Sequence, residues 1–268
     1  MPRFLVRAFS CPKLGSTPSE YEDDVRWNRG ARGRRAARRY AVADGASESS
    51  FARAWASRLT QAYVYGRLSA GSLTADLVPL QAQWRAAVAA KPLPWYAAEK
   101  ARAGAFSALA GLTLHPDRSW TALAVGDCCI MHLREDVLLR SFPLSSPEQF
   151  GISPVLICSN PERNARLDGS LTTACGEWSL GDTFWLMSDA LAAYTLGAVR
   201  EGSSLPTEAL PPTDPAESHA WLQRLRDERR IRNDDVSLLR VHILDERMPT
   251  KRQAAAEDRA ITDAERVQ

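Results

Sequence analysis

Four aspartates stand at the ends of hydrophobic runs: Asp44 closes Arg39-Tyr40-Ala41-Val42-Ala43, and Asp127 follows Thr121-Ala122-Leu123-Ala124-Val125-Gly126. Asp189 follows Thr183-Phe184-Trp185-Leu186-Met187-Ser188, and Asp234 stands just before the run that begins at Val236. A lone carboxylate at a half-buried strand tip is expensive, because the charge loses water without gaining a partner. Several tips brought together lower that cost if they share hard cations, and carboxylates with waters are the ligands Mg²⁺ and Mn²⁺ prefer. Taken singly, each Asp also reads as turn or cap chemistry, Asp44-Gly45 above all; the argument for a metal site rests on the set.

Other catalytic machinery is missing from the sequence. It contains no Gly-x-x-x-x-Gly-Lys phosphate loop, no His-Glu-x-x-His helix and no Gly-x-Ser-x-Gly elbow. The four histidines, at 115, 132, 219 and 242, have no ligand spacing and read as packing or surface residues. The five cysteines, Cys11, Cys128, Cys129, Cys158 and Cys175, are odd in number and without Cys-x-x-Cys spacing, which argues against a disulfide framework or a cysteine zinc site and for buried free thiols.

The elements that must position the acids are legible from periodicity. A strand over 39–43 stops at Asp44-Gly45; hydroxyls among residues 47–50 then offer helix caps, and Phe51, Trp55, Leu59 and Ala62 mark one helical face. Leu77, Leu80, Trp84 and Val88 predict a second helix, and the Ala-rich stretch 96–103 a third. Residues 105–114 and 119–125 then read as a hairpin across His115-Pro116-Asp117-Arg118, and 128–134 and 137–142 as another across Glu135-Asp136. Prolines 147, 154 and 161 make 144–170 a loop, strands return at 171–175 and 183–188, helices follow at 190–196 and 218–230, and 236–244 is a last strand. Residues 12–39 read as irregular, and 247–268 as a polar tail with no sustained apolar stripe. Trp55, Trp84 and Trp95 are expected to pack in the core.

Length and composition fit one globular domain over 1–246, with 268 residues, 45% hydrophobic and 25% charged. The formal net charge of +2 gives no global pull toward nucleic acid or an anionic membrane. The opening residues are too short and too charged for a signal peptide and no run approaches the roughly 20 apolar residues of a membrane span, so a cytoplasmic location without a membrane partner is the expectation.

Four segments resemble, in order, the motifs of the metal-dependent type 2C serine/threonine protein phosphatases, in their bacterial form. Ala41-Val42-Ala43-Asp44-Gly45 is similar to the family's VADG strand end, and Val125-Gly126-Asp127 with the following CCIMHLRED to its VGDSRAYLLRDG hairpin. Residues 181–190 are similar to GDxLLLxSDG, and Asn233-Asp234-Asp235-Val236-Ser237-Leu238-Leu239 to DNxTxVVV; upstream, Tyr21-Glu22-Asp23 resembles the acidic pair of NED. The resemblance implies an α+β, four-layer αββα sandwich with two mostly antiparallel sheets. It also implies two, and with a weaker site three, Mn²⁺ or Mg²⁺ ions, and hydrolysis of phosphoserine or phosphothreonine by a metal-bridging water. By position, Asp44 would bridge two ions, the Gly45 carbonyl would bind one of them, and Asp189 and Asp234 would complete the other. Glu22 and Asp23 would act through metal-bound waters, and Asp127 with Asp189 would hold the third ion. The partners implied are phosphorylated proteins within a serine/threonine kinase signalling system.

Three departures from the pattern bear on activity. Ala46 stands where some members carry a histidine, Ala190 replaces the glycine after Asp189, and Pro18 occupies the place of a phosphate-binding arginine, for which Lys13 or an arginine of the following run could substitute. That run, Arg26, Arg29, Arg32, Arg34, Arg35, Arg38 and Arg39, could guide phosphorylated or acidic substrates or simply be a solvated loop. With only Trp27 inside it, nucleic-acid binding is the weaker reading. The departures keep an alternative open: a catalytically weak or inactive relative that binds phosphoproteins as a regulatory module. Substrate choice is expected in the loops 144–170 and 198–217.

Overall fold

The computed structural model describes residues 2–28, 36–47, 51–151, 153–199, 204–206, 211–212 and 214–245. Arg29, Arg32, Arg34 and Arg35, the possible caps Ser49 and Ser50, parts of the 198–217 loop and the tail 247–268 lie outside them. The strands are β1 (Pro2–Cys11), β2 (Asp24–Trp27), β3 (Arg38–Gly45), β4 (Phe106–Leu114), β5 (Ser119–Val125), β6 (Cys129–Arg134), β7 (Val137–Phe142), β8 (Ile157–Cys158), β9 (Thr172–Glu177), β10 (Thr183–Met187) and β11 (Val236–Asp245). The helices are α1 (Ala52–Val64), α2 (Leu73–Ala89), α3 (Trp95–Ala103), α4 (Asp189–Ala198) and α5 (Pro215–Asp227), with single 3₁₀ turns at 18–20, 147–149 and 161–163.

Two antiparallel sheets result, one ordered β1-β11-β10-β6-β7 and the other β2-β3-β4-β5-β9, with β8 on the end of β4. Side-chain alternation builds the layers, because successive residues of a strand face opposite sides of its sheet. Tyr40 and Val42 of β3 join Leu112, Trp120, Phe184, Leu239 and Val241 in the core between the sheets. Ala41 and Ala43 face the other way, onto Trp55, Leu59 and Tyr63 of α1 and Leu77 and Leu80 of α2. A third cluster sets Met131, Trp185 and Leu238 against Leu191 and Leu196 of α4 and Trp221 and Leu222 of α5. The layers are helix, sheet, sheet, helix, and strands covered on both faces need near-continuous apolar sequence, which β3 and β4 have. Each fully buried Leu or Phe here contributes about 1.5–3 kcal/mol.

The hairpin turns follow their residues. Asp117 Oδ1 accepts from the Ser119 N–H at 3.0 Å and its hydroxyl at 2.7 Å, closing β4–β5. Glu135 and Asp136 both take positive φ (50° and 62°), the twist a tight β-hairpin turn requires. Gly111 makes room for Tyr63: a Cβ there would lie 2.5 Å from the Tyr63 ring, which rests on β4.

Several sequence expectations are corrected. β2 interrupts the stretch expected to be irregular; it is a four-residue edge strand, too short for a periodic signal. β1 was not anticipated either: Phe4 and Val6 meet the inter-sheet core while Phe9 and Cys11 face the α4/α5 side, and the interleaved Arg3 and Arg7 obscure the alternation. α1 is entered through Phe51 in the left-handed region (φ 62°), with no side-chain cap hydrogen bond. Trp55 and Trp84 are buried, but Trp95 is 77% exposed at the start of α3. Cys128, Cys129 and Cys158 are buried free thiols, whereas Cys175 is exposed and Cys11 half-buried, because both lie on edge strands.

Candidate metal centre

The antiparallel register brings the acids to one end of the sandwich. β3 ends beside the start of β2, β5 ends beside the middle of β4, and β10 ends beside the start of β11. Asp44 has the parity of Tyr40 and Val42, so its side chain belongs to the mouth of the inter-sheet space. Two glycines make the approach possible. A Cβ on Gly45 would fall 2.7 Å from the Glu22 carbonyl oxygen and 2.9 Å from the Ala52 Cβ, so only glycine lets the loop bearing Glu22 close over the end of β3. Gly126, at φ 89°, would put a Cβ 2.7 Å from that of Ala108, and its left-handed turn delivers Asp127 from β5.

The loop before β2 is fastened to the loop before β11. Asp235 accepts from the backbone N–H groups of Lys13 (2.8 Å) and Glu22 (2.7 Å) and is itself buried. The Asn233 amide exchanges hydrogen bonds with the backbone of Leu14, accepting at 2.7 Å and donating at 3.2 Å. Asp23 is buried and accepts from the Ser237 hydroxyl at 2.8 Å, with the Tyr21 hydroxyl on the same serine. Ser188 Oγ in turn accepts from the Ser237 N–H at 2.9 Å. Asp235, Asn233, Ser188 and Ser237 thus hold the acid-bearing loops in place. All four lie inside the motif segments, but no role of their own is legible for them in the sequence.

The charges of the acids act on one another. Burial pushes the Asp44 carboxyl well above its usual range, and the charges of Asp23, Asp189, Asp127 and Asp234 push it further. Asp23 is raised by burial and by Asp235 and Asp189, against the hydrogen bonds of Ser237 and Ser188. Asp127 is pushed up to about 6 by burial and by Asp189, and Asp189 is raised by burial with Arg232 pulling the other way. Oδ1 of Asp23 and Oδ1 of Asp189 are both buried without a hydrogen-bond partner. Clustered, desolvated like charges are unfavourable unless protonated or neutralised.

Two cations answer part of that charge. Lys13 Nζ lies 3.3 Å from Glu22 Oε2 and donates to Ser47 Oγ at 2.7 Å. Arg232, unanticipated, donates from Nη2 to Asp189 Oδ2 at 2.5 Å. Its only sequence signal is a basic residue two before Asp234. The described arginines of the run go elsewhere: Arg26 to Asp24 and Ser57, Arg38 over the Phe4 ring, Arg39 beside Gly66. Among the described residues no group of three His, Cys, Asp or Glu side chains stands ready-made around an ion. With Arg232 on Asp189, the donors gather at one end without closing on a point.

Asp182, the second residue of the motif shared with Asp189, does not belong to this cluster. It is fully buried and accepts from His132 Nε2 (2.8 Å), Arg134 Nε (2.8 Å) and Nη2 (3.0 Å) and the Ser179 N–H (2.8 Å). Burial works to raise its pKa, but those donors outweigh it and hold the carboxyl well below the usual range. The histidines take packing or surface roles: His132 stacks on Phe184 at 4.3 Å, His219 lies edge-on to Phe9 at 5.3 Å, His242 Nδ1 meets Thr183 Oγ1 at 2.8 Å and His115 Nε2 meets Thr121 Oγ1 at 2.9 Å.

No protein-family model and no curated protein matches the sequence. Solved structures do. The catalytic domain of the serine/threonine protein phosphatase PstP, in complex with two manganese ions, superposes with a TM-score of 0.55 at 17% identity, covering 91% of this chain and 100% of that one. RsbX in complex with magnesium gives 0.50 at 15% identity over 90% and 95%, and a bacterial serine phosphatase 0.57 at 12% over 92% and 100%. Element order, sheet pairing and these superpositions agree with the resemblance carried by the four sequence motifs, and the chain has the fold of the metal-dependent type 2C phosphatases.

Proposed function

We propose that the protein is a metal-dependent phosphatase acting on phosphoserine or phosphothreonine in proteins. The observation that carries this is the gathering of Asp23, Asp44, Asp127 and Asp189 within one another's field, with Asp234 beside them, at one end of a phosphatase-fold sandwich. The donor set fits hard divalent ions: it is all oxygen, it is over-supplied with negative charge, and two of its buried carboxylate oxygens lack partners. Asp44, the Gly45 carbonyl, Asp189 and Asp234 would hold two ions of Mn²⁺ or Mg²⁺, with Glu22 and Asp23 acting through waters and Asp127 joining Asp189 at a third position. Bound there, such ions supply an acidified water and neutralise charge gathering on a phosphoryl group.

The chain's own residues define the rest. Asp23, Asp44, Asp127 and Asp189, desolvated and crowded, hold their protons more tightly than free carboxyls do, and a cation bound among them would displace those protons. Asp235 and Asn233 fix the loops around them. Cys128, next to Asp127 in the chain, is no nucleophile: it is fully buried, and burial together with Asp44 and Asp127 pushes its thiol pKa well up. Phosphate release from a phosphothreonine peptide, with and without Mn²⁺, for wild type and Asp189→Asn is the direct test. Metal-dependent turnover lost in the variant is expected; metal-independent turnover, or full activity in Asp189→Asn, would refute the reading.

The Arg232–Asp189 pair favours one second reading, a phosphoprotein-binding module with weak or no catalysis. Tight phosphopeptide binding without turnover in the presence of saturating Mn²⁺ would select it.

A further inference from the structure

Arg232 occupies a boundary. On one side its Nη2 donates to Asp189 Oδ2 at 2.5 Å, and its charge also lowers the pKa of Asp127. On the other side it lines a groove of about 530 Å³ with Phe150, Ala190, Tyr194 and Arg230, and its side chain is 50% exposed. The guanidinium therefore stands between the acid cluster and open space large enough for a peptide side chain.

We infer that Arg232 is the phosphate-binding cation of this site, a residue that parks on Asp189 and turns to the phosphoryl oxygens of a substrate entering from the groove. The inference rests on the phosphatase reading above. A divalent ion that claims Asp189 removes the acceptor of Arg232, and a half-exposed guanidinium released beside the ion keeps its donors within reach of the phosphoester. A planar fork matches two phosphate oxygens, which an ammonium does not. Lys13, the other cation at the cluster, is placed differently. It is drawn onto Glu22 and Ser47, its charge favoured by Glu22, Asp235 and Asp234 despite burial, and its backbone is tied to Asp235. It serves as a fastener of the loop.

Two calorimetric titrations test this on the full chain, with wild type, Arg232→Ala, Arg232→Lys and Lys13→Met compared after thermal melts have shown them folded. The first titrates Mn²⁺ alone; the second titrates inorganic phosphate into the Mn²⁺-saturated protein. Arg232→Ala should bind Mn²⁺ several-fold more tightly, because its competitor for Asp189 is gone, and phosphate roughly 10-fold or more weakly, with Arg232→Lys between. In turnover assays its KM should rise more than its kcat falls. Unchanged phosphate affinity in Arg232→Ala while Mn²⁺ still binds would overturn the inference and leave the phosphatase reading standing. So would a loss of phosphate binding that appears in Lys13→Met and not in Arg232→Ala. A wild type that binds no Mn²⁺ would overturn both.

Discussion

Replacing Asp182 with alanine separates an acid that holds the fold from the acids that would do chemistry. The change deletes the acceptor of four hydrogen bonds, from His132, Arg134 twice and the Ser179 N–H, at a fully buried point that joins β6, β10 and the turn before β10. Breaking a buried charge pair costs about 3–5 kcal/mol when the partner is left without water. Arg134 is 44% exposed on its side chain and can rehydrate, so the lower end, about 3 kcal/mol, is the expected loss. At about 2–4 °C per kcal/mol for a domain of this size, the melting temperature should drop by roughly 6–12 °C. Because the carboxyl is depressed in the folded state, its contribution is present above the ordinary carboxylate pKa and fades as pH falls below it; the gap between wild type and variant should narrow below about pH 4. Differential scanning calorimetry at pH 7 and pH 3, in chelator, makes the measurement. A drop under 2 °C at pH 7, or a gap that widens in acid, would refute the argument, as would loss of Mn²⁺ affinity in the folded variant at low temperature.

Gly45→Ala should weaken Mn²⁺ binding by at least about 10-fold, since the new Cβ would sit 2.7 Å from the Glu22 carbonyl and push the acidic loop off the end of β3; calorimetric titration reads it, and unchanged affinity would contradict the packing. Gly111→Ala should cost about 1–3 kcal/mol by driving Tyr63 off β4, seen as a lower denaturant midpoint with the metal site intact. In chelator, stability should fall as pH rises from about 4 toward 8, because Asp23, Asp44, Asp127 and Asp189 have raised pKa values and bind protons more tightly folded than unfolded. Asp44→Asn should flatten that slope, and saturating Mn²⁺ should reverse the loss for the wild type; a melting temperature that climbs with pH in chelator would run against it.

The sequence by itself determined the elements with strong periodicity. β3 through β7, β9, β10 and β11 were readable because alternating or continuous apolar residues meet turn chemistry at Asp117 and at Glu135-Asp136, and α1 and α2 because large apolar residues recur at helical spacing. It also marked Asp44, Asp127, Asp189 and Asp234 as a set, since a carboxylate at the end of an apolar run is costly wherever that run is buried. Convergence was beyond it. Which strand tips meet depends on pairing register between segments far apart in sequence, as between β1 and β11 or β3 and β4, and on how the two sheets stack. The tertiary structure supplied the physical difference between Asp182 and Asp189, seven residues apart in one motif: the first is held by three donor residues, the second stands among other acids with Arg232 on it. It also decided that Trp95 lies outside while Trp84 is inside, that β1 closes a sheet edge despite its arginines, and that Arg232 sits on Asp189. Burial, donor supply and the sign of neighbouring charge are properties of the assembled neighbourhood, and no local pattern encodes them.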